Sequence, residues 1–143
     1  HASALFKSTS ILRLPFVFAH DDYSGRFQKF CTAVLRKRIG QPGNSFRTSM
    51  ISKDDAANLL ANLVVGLPLG FADGSNEGCL SLYEIAQEIA ETLGVKIEGN
   101  SDDEISEIYG LQKDLCLSSG KTQKLKGLKQ AIATEAKAWK LMN

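Results

Sequence analysis

Arg47-Thr-Ser-Met-Ile-Ser-Lys-Asp-Asp-Ala-Ala-Asn-Leu-Leu60 is the stretch on which the fold turns. An arginine leads a short alternation of polar and apolar residues, which predicts a strand over residues 46–51. Ser52, with Asp55 three positions on, opens a helix in the manner of a capping box, with aspartate where glutamate is usual. Leu59, Leu60, Leu63 and Val64 supply the buried stripe of that helix. Gly66 and Pro68 end it.

Strands and helices alternate outward from this stretch. Upstream, Ser10-Ile-Leu-Arg-Leu-Pro-Phe-Val-Phe-Ala reads as a buried strand over residues 11–15 that leaves into a loop. It is short and nearly continuous in apolar residues, as parallel-sheet strands are. Pro15 ends it, because proline cannot donate to a ladder. Asp22 or Ser24 can cap the next helix. Phe27, Phe30, Cys31, Val34 and Leu35 form one face of it, and Gly40 stops it. The basic triplet Arg36-Lys37-Arg38 at its C-terminus suits the helix dipole.

Downstream, residues 69–73 read as a strand. Ser81-Leu-Tyr-Glu is a full capping box for a helix lined by Leu82, Ile85, Ile89 and Leu93 and closed by Gly94. Residues 95–98 predict a strand, 101–110 a brief helix, 114–118 a weak strand and 123–126 a short helix. A last helix carries Leu128, Ile132, Glu135, Ala136 and Trp139 at helical spacing, with Trp139 docking the terminus. The alternation predicts an α/β fold: partly Rossmann-like, mostly parallel sheet with flanking helices. If the opening strand is central, its partners lie outside this chain.

The 143 residues fit one domain and can bury roughly two thirds of their unfolded surface. With 43% hydrophobic and 23% charged residues and a net charge of +1, the composition is that of a globular domain without a nucleic-acid footprint. Lys121, Lys124, Lys126 and Lys129 read as a solvated helix face, since no aromatics interleave them. The longest early apolar run, residues 14–19, is far below the ~20 residues of a membrane span, and no signal-peptide pattern accompanies it. The chain starts at His1 rather than methionine, which leaves a tag scar, processing or missing upstream sequence open. Cys31, Cys79 and Cys116 are odd in number and scattered, and read as reduced thiols in a cytoplasmic protein. His1 and His20 form no metal-ligand cluster.

Motifs for chemistry are sparse. The sequence contains no glycine-rich dinucleotide fingerprint, no P-loop and no nucleophile elbow. Asp21/Asp22, Asp54/Asp55 and Asp102/Asp103 all fall at helix starts, where capping and the dipole explain them. Arg47 stands apart. Its planar, permanently charged fork suits a diphosphate or carboxylate; a surface position or a pair with Asp54 or Asp55 is the alternative.

Ile11-Leu-Arg-Leu-Pro-Phe-Val-Phe, a gap, and Arg47-Thr-Ser-Met-Ile-Ser-Lys-Asp-Asp-Ala-Ala together resemble the extended short-chain dehydrogenase/reductase family, the NAD(P)-dependent sugar-nucleotide epimerases, dehydratases and reductases. Phe71-Ala-Asp-Gly-Ser, Ser81-Leu-Tyr-Glu-Ile-Ala-Gln-Glu-Ile-Ala and Leu93-Gly-Val-Lys-Ile look like the next strand, helix and strand. Leu117-Ser-Ser-Gly-Lys-Thr-Gln-Lys-Leu looks like a late family element. The resemblance covers almost the whole chain and implies the C-terminal, substrate-binding half. The family's glycine-rich cofactor loop and Tyr-x-x-x-Lys pair would precede Ile11. The string Tyr109-Gly-Leu-Gln-Lys113 lies in the wrong place for that pair, so no catalytic residue is assigned.

By position, the resemblance makes Arg47 a contact to the nucleotide's phosphate or ribose. It puts Pro15 beside the nicotinamide of the cofactor, with Phe16 and His20 on the substrate side. Ala19-His20 replaces the family's usual Gly-Pro, and Phe16 stands near a position that is often polar. Asp54 matches a helix-start acid of mainly structural role. The implied function is binding of a nucleotide sugar, with no NAD(P) held by this chain alone and NAD(P) implied for the complete enzyme. The other reading is a catalytically dead derivative acting as a structural or binding subunit. Expected partners are the missing Rossmann half or further copies of the chain in a weak dimer or larger oligomer.

Overall fold

The computed structural model describes residues 10–36, 46–66, 70–97, 114–117 and 125–143. In chain order these form β1 (Ser10–Arg13), β2 (Phe16–Phe18), α1 (Arg26–Leu35), β3 (Arg47–Thr48), β4 (Met50–Ser52), α2 (Lys53–Gly66), β5 (Gly70–Asp73), β6 (Leu80–Ser81), α3 (Leu82–Leu93), β7 (Asp114–Leu115) and α4 (Leu128–Met142). The α/β alternation expected from the sequence is present. The expected helix over 101–110 lies outside the described residues, as do Gly40, Pro68, Tyr109 and Lys113.

The segment expected as a strand over 11–15 running into a loop forms two strands, and the strand expected over 46–51 is divided. Pro15 interrupts the first, because it has no N–H to continue the ladder. The residues before it, β1, pair parallel with β5; those after it, β2, pair parallel with β4. Ser49 interrupts the second. It is fully buried, and its hydroxyl accepts the Leu117 N–H at 2.9 Å while lying 3.2 Å from the Leu117 carbonyl oxygen. This anchor turns β3 into a separate three-stranded sheet, β6-β3-β7, antiparallel to β6 and parallel to β7. Arg13 and Asp73 face each other across β1 and β5 and form a two-bond ion pair at 2.6 and 2.8 Å.

Two apolar clusters hold these pieces. The larger lies among α1, α3 and α4 and includes Phe18, Phe27, Val34, Ile85, Ile89, Ile132 and Trp139. The smaller, Ile51, Ala56 and Leu59, packs with Leu12, Leu14 and Leu125. Trp139 is buried, so the terminal helix docks as the sequence predicts.

The caps explain the helix orientations. For α3 the capping box is complete: Ser81 Oγ accepts the Glu84 N–H at 3.1 Å, and Glu84 Oε2 accepts the Ser81 N–H at 2.7 Å. At its other end Gly94 adopts φ 77°. The Gly94 N–H reaches Glu91 O and the Val95 N–H reaches Ala90 O, a Schellman motif. Residues 95–97 follow without forming the expected strand. Leu125 and Lys126 likewise lie outside any helix.

In α2 the aspartate is too short to complete the box. Ser52 Oγ meets Asp55 Oδ2 at 2.8 Å, and the Ser52 N–H goes instead to Asn76 Oδ1 at 2.8 Å. Asn76 Nδ2 then donates to Asp55 Oδ2 at 2.7 Å. This network draws Asp55 inward and sets the rotation of α2. Asp55, Ala56 and Leu59 are buried, while Leu60 and Val64, expected in the stripe, are 49% and 89% exposed. The N-cap of α1 is Gly25 at φ 64°, without a side-chain cap. Asp22 and Ser24, the expected caps, sit further back, each accepting a first-turn amide at 3.4 Å.

The cysteine reading needs correction. Cys79 and Cys116 form a disulfide, and only Cys31 of the three is a free thiol. An odd count and scattered spacing give no sign of the pair, whose members lie 37 positions apart. The β6-β3-β7 sheet brings them together, one just before β6 and one just after β7.

Candidate functional site

The site is built around Phe16 and Arg26. β2 delivers Phe16 directly after the Pro15 break, and the first residue of α1 delivers Arg26. The Arg26 guanidinium carbon lies 5.8 Å from the centre of the Phe16 ring, a cation–π pair. That pair borders two cavities.

The first cavity has a volume of about 460 Å³. Phe27, Phe30 and Phe46 give it aromatic walls, and Thr48, Leu82 and Leu115 come from the β6-β3-β7 region. Among the described residues its one charged lining residue is Arg26. The second, of about 680 Å³, is lined by Pro15, Phe16, residues 17–19 and 21–24, Arg26 and Lys53. Lys53 Nζ holds both oxygens of Asp21 at 2.5 and 2.6 Å. This bond lowers the Asp21 pKa and raises that of Lys53. Asp22 is also held below its ordinary value: burial is the largest single influence and opposes this, but the Ser24 hydroxyl and the amides of Phe27, Gly25 and Ser24 together outweigh it.

The four residues singled out from the sequence separate into two groups. Pro15 and Phe16 line the second cavity, and Phe16 lines both. Arg47 is the neighbour of Thr48 on a strand, so the two point to opposite faces. With Thr48 on the first cavity, Arg47 donates to the Cys79 carbonyl at 2.6 Å and lies 3.3 Å from Glu84 Oε2. Its partner is therefore the capping acid of α3. His20 turns to the terminal helix: its N–H donates to Glu135 Oε2 at 2.8 Å, and its Nδ1 lies 2.6 Å from the same oxygen. Glu135 is buried, so His20 ties the loop after β2 to α4.

Arg26, Phe46 and Lys53 were not legible as site residues. The sequence marks Phe27 and Phe30 only as the core stripe of α1. A signal was available in the cluster Phe16, Arg26, Phe27, Phe30, an arginine among three aromatics. The described residues around these cavities offer an apolar, aromatic slot with one cation and, beyond it, a polar recess. Such a shape binds a flat apolar group joined to an anion. No group of three His, Cys, Asp or Glu that could hold a metal occurs among the described residues. No described helix is long and apolar enough to cross a membrane. After β1 the chain runs through Leu14-Pro15 into β2, without the glycine-rich strand-to-helix turn that binds a pyrophosphate, so the described residues do not fit a dinucleotide cradle.

No protein-family model and no curated protein matches the chain. Solved structures do. A dTDP-4-dehydrorhamnose reductase from Clostridium acetobutylicum matches at TM-score 0.75 and 14% identity, over 96% of this chain and 51% of that one. A UDP-N-acetylglucosamine 4-epimerase from Methanobrevibacter ruminantium, in complex with UDP-N-acetylmuramic acid, matches at 0.67 and 14%, over 94% and 46%. The dTDP-glucose 4,6-dehydratase DesIV from Streptomyces venezuelae, with NAD and TYD bound, matches at 0.69 and 15%, over 99% and 47%. The chain thus spans about half the length of the enzymes it matches. At these identities the likeness is one of fold: the chain has the fold of about half of the reductase, the epimerase and the dehydratase it matches.

Proposed function

We propose that this chain is the nucleotide-sugar-binding portion of an NAD(P)-dependent sugar-nucleotide enzyme, and that alone it does not carry out hydride transfer. The observation that carries the reading is the pair of cavities bordered by Phe16 and Arg26, in a fold shared with enzymes solved with UDP-N-acetylmuramic acid or TYD. The aromatic cavity takes the flat base, and Arg26 at the border takes negative charge. Arg47, on the opposite face of β3 and paired with Glu84, contributes by holding the β6 side of the cavity in place through the Cys79 carbonyl. Phe16 and Pro15 line the recess for the sugar and for the nicotinamide of a cofactor bound elsewhere in the complete enzyme; His20 positions that recess through Glu135. NAD(P) would supply the hydride chemistry, and the described residues would only border it. Calorimetric titration with UDP- and dTDP-sugars tests the reading. Saturable binding that weakens in Arg26→Ala and Arg47→Ala supports it, and no binding by the intact chain removes it.

A second reading has its own observation. Leu60, Val64 and Val65 on α2 are 49%, 89% and 86% exposed, and β1 pairs with β5 alone among the described strands. That face fits a subunit role, docking a Rossmann half or a second copy. Light scattering that finds a dimer or larger species, together with no nucleotide-sugar binding, favours this reading. In either case we place the protein in the cytoplasm, where a disulfide is a transient, redox-responsive bond rather than a permanent one.

A further inference from the structure

The Cys79–Cys116 disulfide spans the two strands that flank β3, with its Cα atoms 5.6 Å apart. Residues at both ends of the bond serve the site. The Cys79 carbonyl accepts from Arg47 Nη2 at 2.6 Å. Leu115, next to Cys116, walls the aromatic cavity with Thr48 and Leu82. Segment 114–117 is also tied to the body by two β3 pairings, Arg47↔Asp114 and Thr48↔Leu115, and by Ser49, whose N–H donates to Leu115 O at 3.4 Å and whose hydroxyl accepts from the Leu117 N–H at 2.9 Å. A two-residue strand is a short anchor for a cavity wall.

We propose that the Cys79–Cys116 disulfide is a redox latch on this cavity. When oxidised, it fixes the Leu115 wall and the carbonyl that orients Arg47; when reduced, it releases both. For its effect on nucleotide-sugar affinity the proposal rests on the function proposed above; for the movement of the wall it does not. The reductant is a dithiol. One of its thiolates attacks Cys116 Sγ, the exposed end of the bond, forming a mixed disulfide and expelling the Cys79 thiolate, which takes up a proton. The second thiol of the reductant then displaces Cys116. Two electrons and two protons reach the protein, and the reductant leaves as a disulfide. Cys31 does not compete in this exchange. It is fully buried in the helical core, and burial pushes its thiol up to about 12.

Amide hydrogen exchange of the intact chain, air-oxidised against dithiothreitol-reduced, tests the latch. Reduction should speed exchange at Ser49, Leu115 and Leu117 by about tenfold or more while Ile89 and Ile132 in the helical core stay unchanged. Cys79→Ser should give the reduced pattern without reductant. Three free thiols in the air-oxidised chain overturn the latch, as does equal exchange in both states or an equal acceleration at Ile89 and Ile132. In parallel, UDP-sugar affinity should fall several-fold on reduction, and affinity that is measurable and identical in both states also overturns the latch. No UDP-sugar binding in either state, with the exchange difference intact, removes the nucleotide-sugar reading and leaves the latch standing.

Discussion

Single side chains decide how the chain enters its elements. Asn76 is fully buried and its side-chain amide makes three bonds: from the Ser52 N–H, to Asp55 Oδ2 and to the Lys126 carbonyl. Asn76→Ala strands a buried carboxylate and a buried amide, so urea unfolding should show a loss of about 2–4 kcal/mol; a loss within the range of surface substitutions contradicts this role. Glu84 belongs to a second such network. Its pKa is lowered first by the Ser81 amide and then by the Arg47 charge, against some burial. A depressed carboxylate adds stability that is complete above its unfolded value of 4.5 and is lost as pH falls through the lower folded value. Acid titrations of wild type and Glu84→Gln should therefore converge below that range and diverge above it. The Ser81–Glu84 box was legible in the sequence because its spacing is local. The Asn76 contribution was not, since it joins residues 24 positions apart. For Arg47 the sequence offers an anion, or a pair with Asp54 or Asp55; the carboxylate it meets is Glu84, 37 positions away on another element.

Helices were easier to read than strands. Capping and periodicity are properties of neighbouring residues, and α3 and α4 follow them closely. Gly94 sits at φ 77°, so Gly94→Ala should cost about 1 kcal/mol in thermal unfolding without changing the fold. Trp139→Ala should cost about 3–5 kcal/mol, because the indole is buried in the main cluster and carries the docking of α4. Strand divisions at Pro15 and Ser49 were less visible. Proline announces a break but not that the chain changes sheets there, and a buried serine looks like any polar residue of an alternating strand. The rotation of α2 escaped the hydrophobic pattern because an aspartate, not a leucine, was drawn inward.

On the scale of the whole molecule, three small sheets and four helices among the described residues place an aromatic cavity between α1 and the β6-β3-β7 sheet. The ordered set of weak motifs pointed to the fold that the solved reductases, epimerases and dehydratases share. The cavity itself was not readable, because Phe16, Arg26, Phe46 and Leu115 converge only after folding. Its location is the central claim, and a backbone NMR titration of the oxidised chain with a UDP- or dTDP-sugar tests it most directly. Saturable shifts confined to the amides of Phe16, Arg26, Thr48 and Leu115 are the predicted result. Shifts centred on the exposed face of α2, or no saturable shifts at all, would contradict it.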